Sequence, residues 1–113
     1  MKLIATARVL AQHALWRATG WDAAGRAVVR ALGAPDPTVR TIAGMLLVRA
    51  RRRALRLLQE ALAARENLPM VLGILGDIGQ PQVEPQLRQF SKDPDPAVAQ
   101  AARDALRVLQ VQP

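Results

Sequence analysis

Residues 93–109 read DPDPAVAQAARDALRVL, a turn followed by one amphipathic helix. Asp95 is placed to cap this helix, and Pro96 takes the first helical position, where its missing N–H breaks no hydrogen bond. Polar and charged residues fill one side of the helix, and apolar residues at helical spacing fill the other. The apolar positions are 98, 101, 102, 105, 106 and 109. The pattern predicts a helix over residues 96–110.

The rest of the 113-residue chain divides into short helices in the same way. Glycines end predicted helices at positions 20, 33 and 79, and Asp36-Pro37 begins another. Asp22 and Asn67 are expected to cap two more helices. Alanine and leucine dominate the composition, and no strand alternation occurs, so we expect an all-α protein. The predicted helices are 3–18, 22–33, 37–50, 52–65, 69–78, 81–91 and 96–110.

Two features of these predicted helices need separate mention. The segment 49–53 contains no Gly or Pro, so one long bent helix is an alternative to two helices there. Comparison with Gly79-Gln80-Pro81 favours a break. The first helix carries apolar residues at helical spacing, like the last one. These residues are Leu3, Ile4, Ala7, Leu10, Ala11, Ala14, Leu15 and Ala18.

The helices repeat in pairs. The motif Asp36-Pro37-Thr38-Val39 recurs as Asp95-Pro96-Ala97-Val98, and residues 69–71 keep its Pro-x-Val part. Gly44 and Gly76 each fall seven residues after the proline of their unit. A mid-helix glycine costs about 0.5–1 kcal/mol relative to alanine, so we expect these two to allow close helix approach. A two-helix repeat of about 30 residues is the pattern of an α-solenoid.

The sequence ILGDIGQPQVEPQL at 74–87, together with residues 93–106, resembles the HEAT-like repeat of phycobilin lyase subunits and of many small bacterial proteins. The resemblance is closest over residues 69–109 and departs at 49–66, where an arginine run replaces the Gly-Pro turn. It implies an α-solenoid of about three antiparallel helix pairs plus a C-terminal capping helix, with the second helix of each pair lining a concave, partner-binding face. The chain would be one domain, 1–113, with units at about 1–33, 34–66, 67–92 and 93–110.

The net charge of +7 is unevenly distributed. Residues 1–56 hold eleven basic and two acidic residues, whereas residues 57–113 hold five basic and seven acidic ones. A basic half favours anionic partners, and arginine suits planar, bidentate contacts. The densest cluster predicts a contact with an anion or an acidic protein, and the alternative is a solvated surface turn. This cluster consists of Arg49, Arg51, Arg52, Arg53 and Arg56.

The resemblance extends this basic surface. If second helices line a concave face, Arg26, Arg30 and Arg88 would join Arg53 and Arg56 in a stripe along it. The alternative is that these are ordinary surface arginines.

Composition removes most catalytic chemistries. The chain has no Cys and one His, so thiolate metal sites and multi-histidine sites within one chain are excluded. His13 lies far in sequence from Ser91, the single serine, and the other chemistry-bearing residues show no catalytic pattern. We therefore predict no catalytic, cofactor-binding or metal-binding residues. Trp16 and Trp21, on either side of Gly20, are expected to cover the end of an apolar core rather than to bind a ligand.

These observations favour a non-catalytic adaptor that holds another protein, with an acidic surface, on its concave or arginine-rich side. Nucleic-acid binding through the phosphate backbone is the alternative, and a bilin lyase-type enzyme subunit is a third hypothesis. The chain contains no apolar run of about 18 residues, and Arg8 interrupts the apolar N-terminus too early for a signal peptide. We thus expect a cytoplasmic protein, with membrane binding disfavoured and self-association through the solenoid ends as a further option.

Overall fold

The computed structural model describes residues 2–111, which are all-helical and contain no strand. The all-α class is therefore confirmed, and the predicted helices lie within a few residues of the observed ones. Two short 3-10 helices, Ala31–Gly33 and Pro81–Val83, accompany the α-helices. The α-helices are α1 (Lys2–Thr19), α2 (Asp22–Arg30), α3 (Pro37–Ala50), α4 (Arg52–Ala63), α5 (Leu68–Ile78), α6 (Glu84–Phe90) and α7 (Pro96–Val111).

Two aspartates begin α3 and α7 as the sequence predicts. The carboxylate of Asp36 accepts a hydrogen bond from the backbone N–H of Thr38 at 2.9 Å. The carboxylate of Asp95 accepts one from the N–H of Ala97, also at 2.9 Å. Each aspartate precedes a proline in the first turn of its helix. The repeated motif therefore corresponds to a repeated helix start.

The two other predicted caps differ. Asp22 is the first residue of α2 rather than its cap, and Trp21 holds the cap position with no side-chain bond. The Asp22 prediction was wrong because the extended backbone that a cap requires falls one residue earlier, at Trp21 (φ −68°, ψ 113°). Asn67 does hold the cap position of α5, but its left-handed backbone (φ 50°) is not accompanied by a side-chain capping bond.

A break separates α3 from α4, as the sequence comparison favours, and it lies at one residue. Arg51 has φ 51° and ψ −119°, a conformation that suits glycine. Its N–H donates to the carbonyl of Val48, and its own carbonyl accepts from the N–H of Ala54. Arg51 thus ends one helix and begins the next.

The chain forms two compact units, Met1–Leu57 and Leu58–Pro113, and the boundary falls inside α4. The same boundary separates the charges, because eleven basic and two acidic residues belong to the first unit and five basic and seven acidic ones to the second. The four smaller repeat units predicted within 1–113 are not tested by this division and stay a prediction.

In the second unit, α7 packs against both α5 and α6. A Cβ placed on Gly76 would lie 2.8 Å from the Cα, 2.9 Å from the Cβ and 3.0 Å from the carbonyl oxygen of Ala105. The predicted close approach at Gly76 is confirmed. The side chains of Gln59 on α4 and Gln86 on α6 are joined by a 2.9 Å hydrogen bond.

In the first unit, α1 packs against α2 and α3, and its side chains Val9 and Trp16 are both buried. A Cβ on Gly25 of α2 would lie 2.9 Å from the Trp16 ring and 2.5 Å from a terminal carbon of Leu57, so this contact also depends on a glycine. Trp16 is only 4% exposed and belongs to the core of the first unit.

The predicted apolar face of α1 is not buried. Its eight residues are all exposed, and Leu3 reaches 82% exposure. An amphipathic pattern ordinarily turns its apolar side to the core. Here Val9 and Trp16 supply that contact from the other side of the helix. Trp21 is 56% exposed, so the prediction that it covers the core was wrong.

Candidate anion-binding cleft

A cleft of about 170 Å³ opens in the first unit where three helices meet. α1 contributes one group of side chains, the last turn of α3 a second, and the first turn of α4 a third. The lining residues are His13, Trp16, Arg17, Arg49, Ala50 and Arg53. We refer to this site as the basic cleft.

Helix geometry explains how these side chains converge. His13, Trp16 and Arg17 are three and four residues apart, so they lie on one face of α1. The Arg51 turn ends α3 and starts α4, which brings Arg49 and Arg53 to the same site. The rings of His13 and Trp16 meet edge to face, with centroids 6.3 Å apart and planes at 74°. The buried indole therefore provides a fixed wall.

The cleft carries positive charge with no compensating acid among its lining residues. Partial burial lowers the pKa of His13 below its usual 6.5, and the charges of Arg17 and Arg49 lower it further. The neutral form of His13 is therefore favoured, and the positive charge of the cleft comes from its arginines. Such a field attracts anions.

The predicted arginine cluster divides into three parts. Arg49 and Arg53 line the basic cleft, and Arg51 and Arg52 are exposed beside it. Within the described residues, none of these four forms an ion pair with a carboxylate. Arg56 differs because its guanidinium lies 2.5 Å from the carboxylate of Asp22.

The arginines of the predicted stripe are divided between the two units. Arg26 is half-buried and Arg30 is exposed, and both belong to α2 in the first unit. Arg88 belongs to the second unit, where its guanidinium lies 2.6 Å from Glu84 on the preceding turn of α6. The stripe stays a prediction, as does partner binding by each of its members.

The sequence prediction missed the contribution of α1 to the cleft, namely His13, Trp16 and Arg17. The i, i+3, i+4 spacing of these residues was the available signal, but nothing in the sequence alone shows that this face of α1 lies against the end of α3.

Among the described residues, no group of three or more His, Cys, Asp or Glu side chains could hold a metal ion. No described helix is long and apolar enough to cross a bilayer.

Comparisons with protein-family models, with curated proteins and with solved structures gave no match for this chain.

Proposed function

We propose that the protein is a non-catalytic adaptor of the short HEAT-like type, which binds an acidic protein through its first unit. The observation that carries this proposal is the exposed apolar face of α1. A helix that leaves Leu3, Ile4, Leu10 and Leu15 in water has an unfavourable free energy of hydration that a protein partner can relieve.

The charge of the same unit indicates the partner's chemistry. Four arginines at the α3–α4 turn, which form no ion pair within residues 2–111, would meet carboxylates on the partner, which speeds association and selects against basic surfaces. Arginine is also over-represented among the residues that dominate binding energies. An acidic partner with apolar anchors would use both features.

Helix packing within each unit supports the HEAT-like arrangement. In such a solenoid the first helix of one pair packs on the first helix of the next. α1 packs on α3 in the first unit, and α5 packs on α7 in the second. The second helices also meet, through Gly25 and Leu57 in the first unit and through Gln59 and Gln86 in the second.

Phosphate-backbone binding to nucleic acid is the second candidate, supported by the net charge of the first unit. Contacts with phosphates need arginines but gain nothing from an exposed leucine face. The two candidates therefore predict different responses to changes on α1. A bilin lyase-type role is a weaker candidate, because it rests on the sequence resemblance alone.

Affinity capture from a lysate of the cells that make the protein tests the proposal, with nuclease-treated and untreated halves compared. The variant Leu3→Gln/Leu10→Gln removes the apolar face without altering charge, and Val108→Gln, exposed on α7 of the second unit, is its control. The variant Arg52→Glu/Arg53→Glu reverses the charge at the turn, and Lys92→Glu/Arg107→Glu makes the same change in charge in the second unit. Arg56 is kept because it pairs with Asp22.

The adaptor proposal expects a defined protein that survives nuclease treatment, that both test variants lose and that both controls keep. Nucleic acid that the leucine variant still binds, and that the arginine variant loses, would replace the proposal with backbone binding. Recovery of no protein above the resin background would contradict it.

A further inference from the structure

We propose that the basic cleft binds a phosphomonoester dianion, with Arg17, Arg49 and Arg53 as its charged ligands. This inference rests on the proposed function, because the phosphoryl group is supplied by the partner that the first unit binds. The same chemistry is offered by a phosphorylated side chain and by a small phosphorylated metabolite, and the experiment below separates these two sources.

The charge of the cleft is not compensated by its own lining. Three arginines line a cleft of about 170 Å³ to which no carboxylate contributes. Like charges at one site repel one another, and the repulsion falls when a counter-ion binds. A single carboxylate would leave two positive charges in the cleft, whereas a dianion leaves one. A doubly charged ligand is therefore the better match.

Arg53 lies at the start of α4. The N-terminus of a helix carries partial positive charge, so acids are favoured there and bases are not. The first turn of α4 contains two arginines and no acid. A bound anion would offset this unfavourable arrangement from the side of the cleft.

The shape of the cleft also suits a phosphomonoester. The terminal oxygens of a phosphomonoester can accept hydrogen bonds from several arginine forks at once. The cleft is walled by the fixed ring of Trp16 and holds a volume several times that of one water molecule. A phosphodiester carries one negative charge and a phosphomonoester carries close to two at pH 7, so the monoester is the better match to three arginines.

His13 completes the site and reports on it. Its imidazole lies in the lining together with Arg17 and Arg49, whose charges disfavour its protonation. The other charged group of the lining is Arg53, on α4. A bound dianion would offset two of the three positive charges. The proton affinity of His13 should then rise on binding.

Solution NMR on the full chain tests the site. The chain has one histidine, so the His13 ring signals are identified directly, and its two tryptophans give only two indole N–H signals. The His13 ring protons are followed through a pH titration with phosphoserine, and then with chloride at equal ionic strength. The indole N–H signals of Trp16 and of the exposed Trp21 are followed in parallel. We expect phosphoserine to raise the pKa of His13 and to shift the Trp16 signal more than that of Trp21.

A neighbouring pair of arginines provides the matched variants. Arg53→Gln and Arg52→Gln remove the same charge from adjacent exposed positions in the first turn of α4, but only Arg53 lines the cleft. We expect Arg53→Gln to weaken phosphoserine binding about tenfold, the scale of one charge-assisted hydrogen bond, and Arg52→Gln to weaken it much less. Equal effects of the two variants, or equal effects of chloride and phosphoserine, would overturn the inference.

Competition experiments then identify the source of the group. Tighter binding of a phosphoserine peptide than of glycerol phosphate places the phosphoryl group on a protein, and equal binding places it on a small molecule. Both results support the phosphomonoester site. Displacement of phosphoserine by a short DNA duplex at lower concentration would overturn it in favour of the nucleic-acid backbone. Capture of a partner by the leucine face with no phosphoserine response would refute the cleft but not the adaptor.

Discussion

Gly76 and Gly73 lie one turn apart in α5, and we predict opposite effects when each is replaced by alanine. A Cβ on Gly73 would have no atom within 4 Å, whereas a Cβ on Gly76 would fall 2.8 Å from the Cα of Ala105. Both glycines occur within the same helix, so the intrinsic gain in helix propensity is similar, about 0.8–1.0 kcal/mol. The difference between the two variants therefore isolates the contact between α5 and α7.

The magnitudes follow from that contact. Overpacking of a core costs about 1–3 kcal/mol, and the upper end applies here because two of the three Ala105 atoms are backbone and cannot rotate away. Subtracting the propensity gain leaves Gly76→Ala destabilised by about 1–2 kcal/mol. Gly73→Ala should be more stable than the parent by about 0.5–1 kcal/mol.

Urea unfolding followed by circular dichroism measures both variants. With an m-value of about 1–3 kcal/mol/M, the midpoint of Gly76→Ala should fall by about 1 M and that of Gly73→Ala should rise. The double variant Gly76→Ala/Ala105→Gly removes the contact with the Ala105 Cβ but leaves the two backbone contacts, so its loss of stability should be smaller than the sum of the two single losses. Equal midpoints for the two single variants would refute the close packing of α5 on α7 at this position.

Three further predictions concern the helix ends and the cleft. Arg51→Gly should stabilise the protein by about 1 kcal/mol, because glycine adopts φ 51° without strain, whereas Arg52→Gly should lose stability; thermal unfolding of the pair distinguishes them. Asp95→Ala should lose about 1 kcal/mol with its capping bond, while Asp77→Ala, exposed near the end of α5, should lose nothing in the same denaturation assay. The lowered pKa of His13 means that the unfolded chain binds more protons than the folded one just below pH 6.5, so His13 should reduce stability as pH falls through that range. His13→Gln should lose this component, and a pH series showing the same slope for both proteins would contradict it.

Local chemistry made most of the helices predictable from the sequence. Asp95-Pro96 specifies a helix start whatever surrounds it, because the cap and the fixed proline φ act within three residues. The apolar face of α1 shows where such reasoning ends. The spacing of apolar residues identifies a helix and its apolar side, but it does not show whether another element covers that side. In the structure, the side of α1 that carries Val9 and Trp16 is buried, and the leucines of its apolar side are exposed.

The basic cleft lies beyond sequence reasoning for a similar reason. Arg49 and Arg53 are separated from His13 by more than thirty residues, and only the packing of α1 on α3 brings them together. The arginine run itself was visible in the sequence. Which of its members would face a common space was not, because that depends on the turn at Arg51.

Arg51 and Arg65 both hold backbone conformations that glycine adopts more easily, with φ of 51° and 56°. The two arginines differ in the contacts that accompany this conformation. At Arg65 the chain closes α4 with hydrogen bonds from two successive backbone N–H groups, and the guanidinium lies 3.0 Å from Asp93 and 6.0 Å from the Phe90 ring. These contacts offset the strain, so a structural reason for arginine exists there.

Arg51 has no such reason. Its side chain is exposed and forms no ion pair within the described part of the chain, yet its backbone carries a strain of about 1–3 kcal/mol that glycine would remove. Among the described residues, no side-chain hydrogen bond or ion pair of Arg51 offsets this strain, and its exposed side chain is accessible to an external anion. The turn at Arg51 also sets the position of Arg53 in the cleft. The strain at Arg51 and the uncompensated charge of the cleft are therefore both consistent with the proposal that an anion binds where α3 ends and α4 begins.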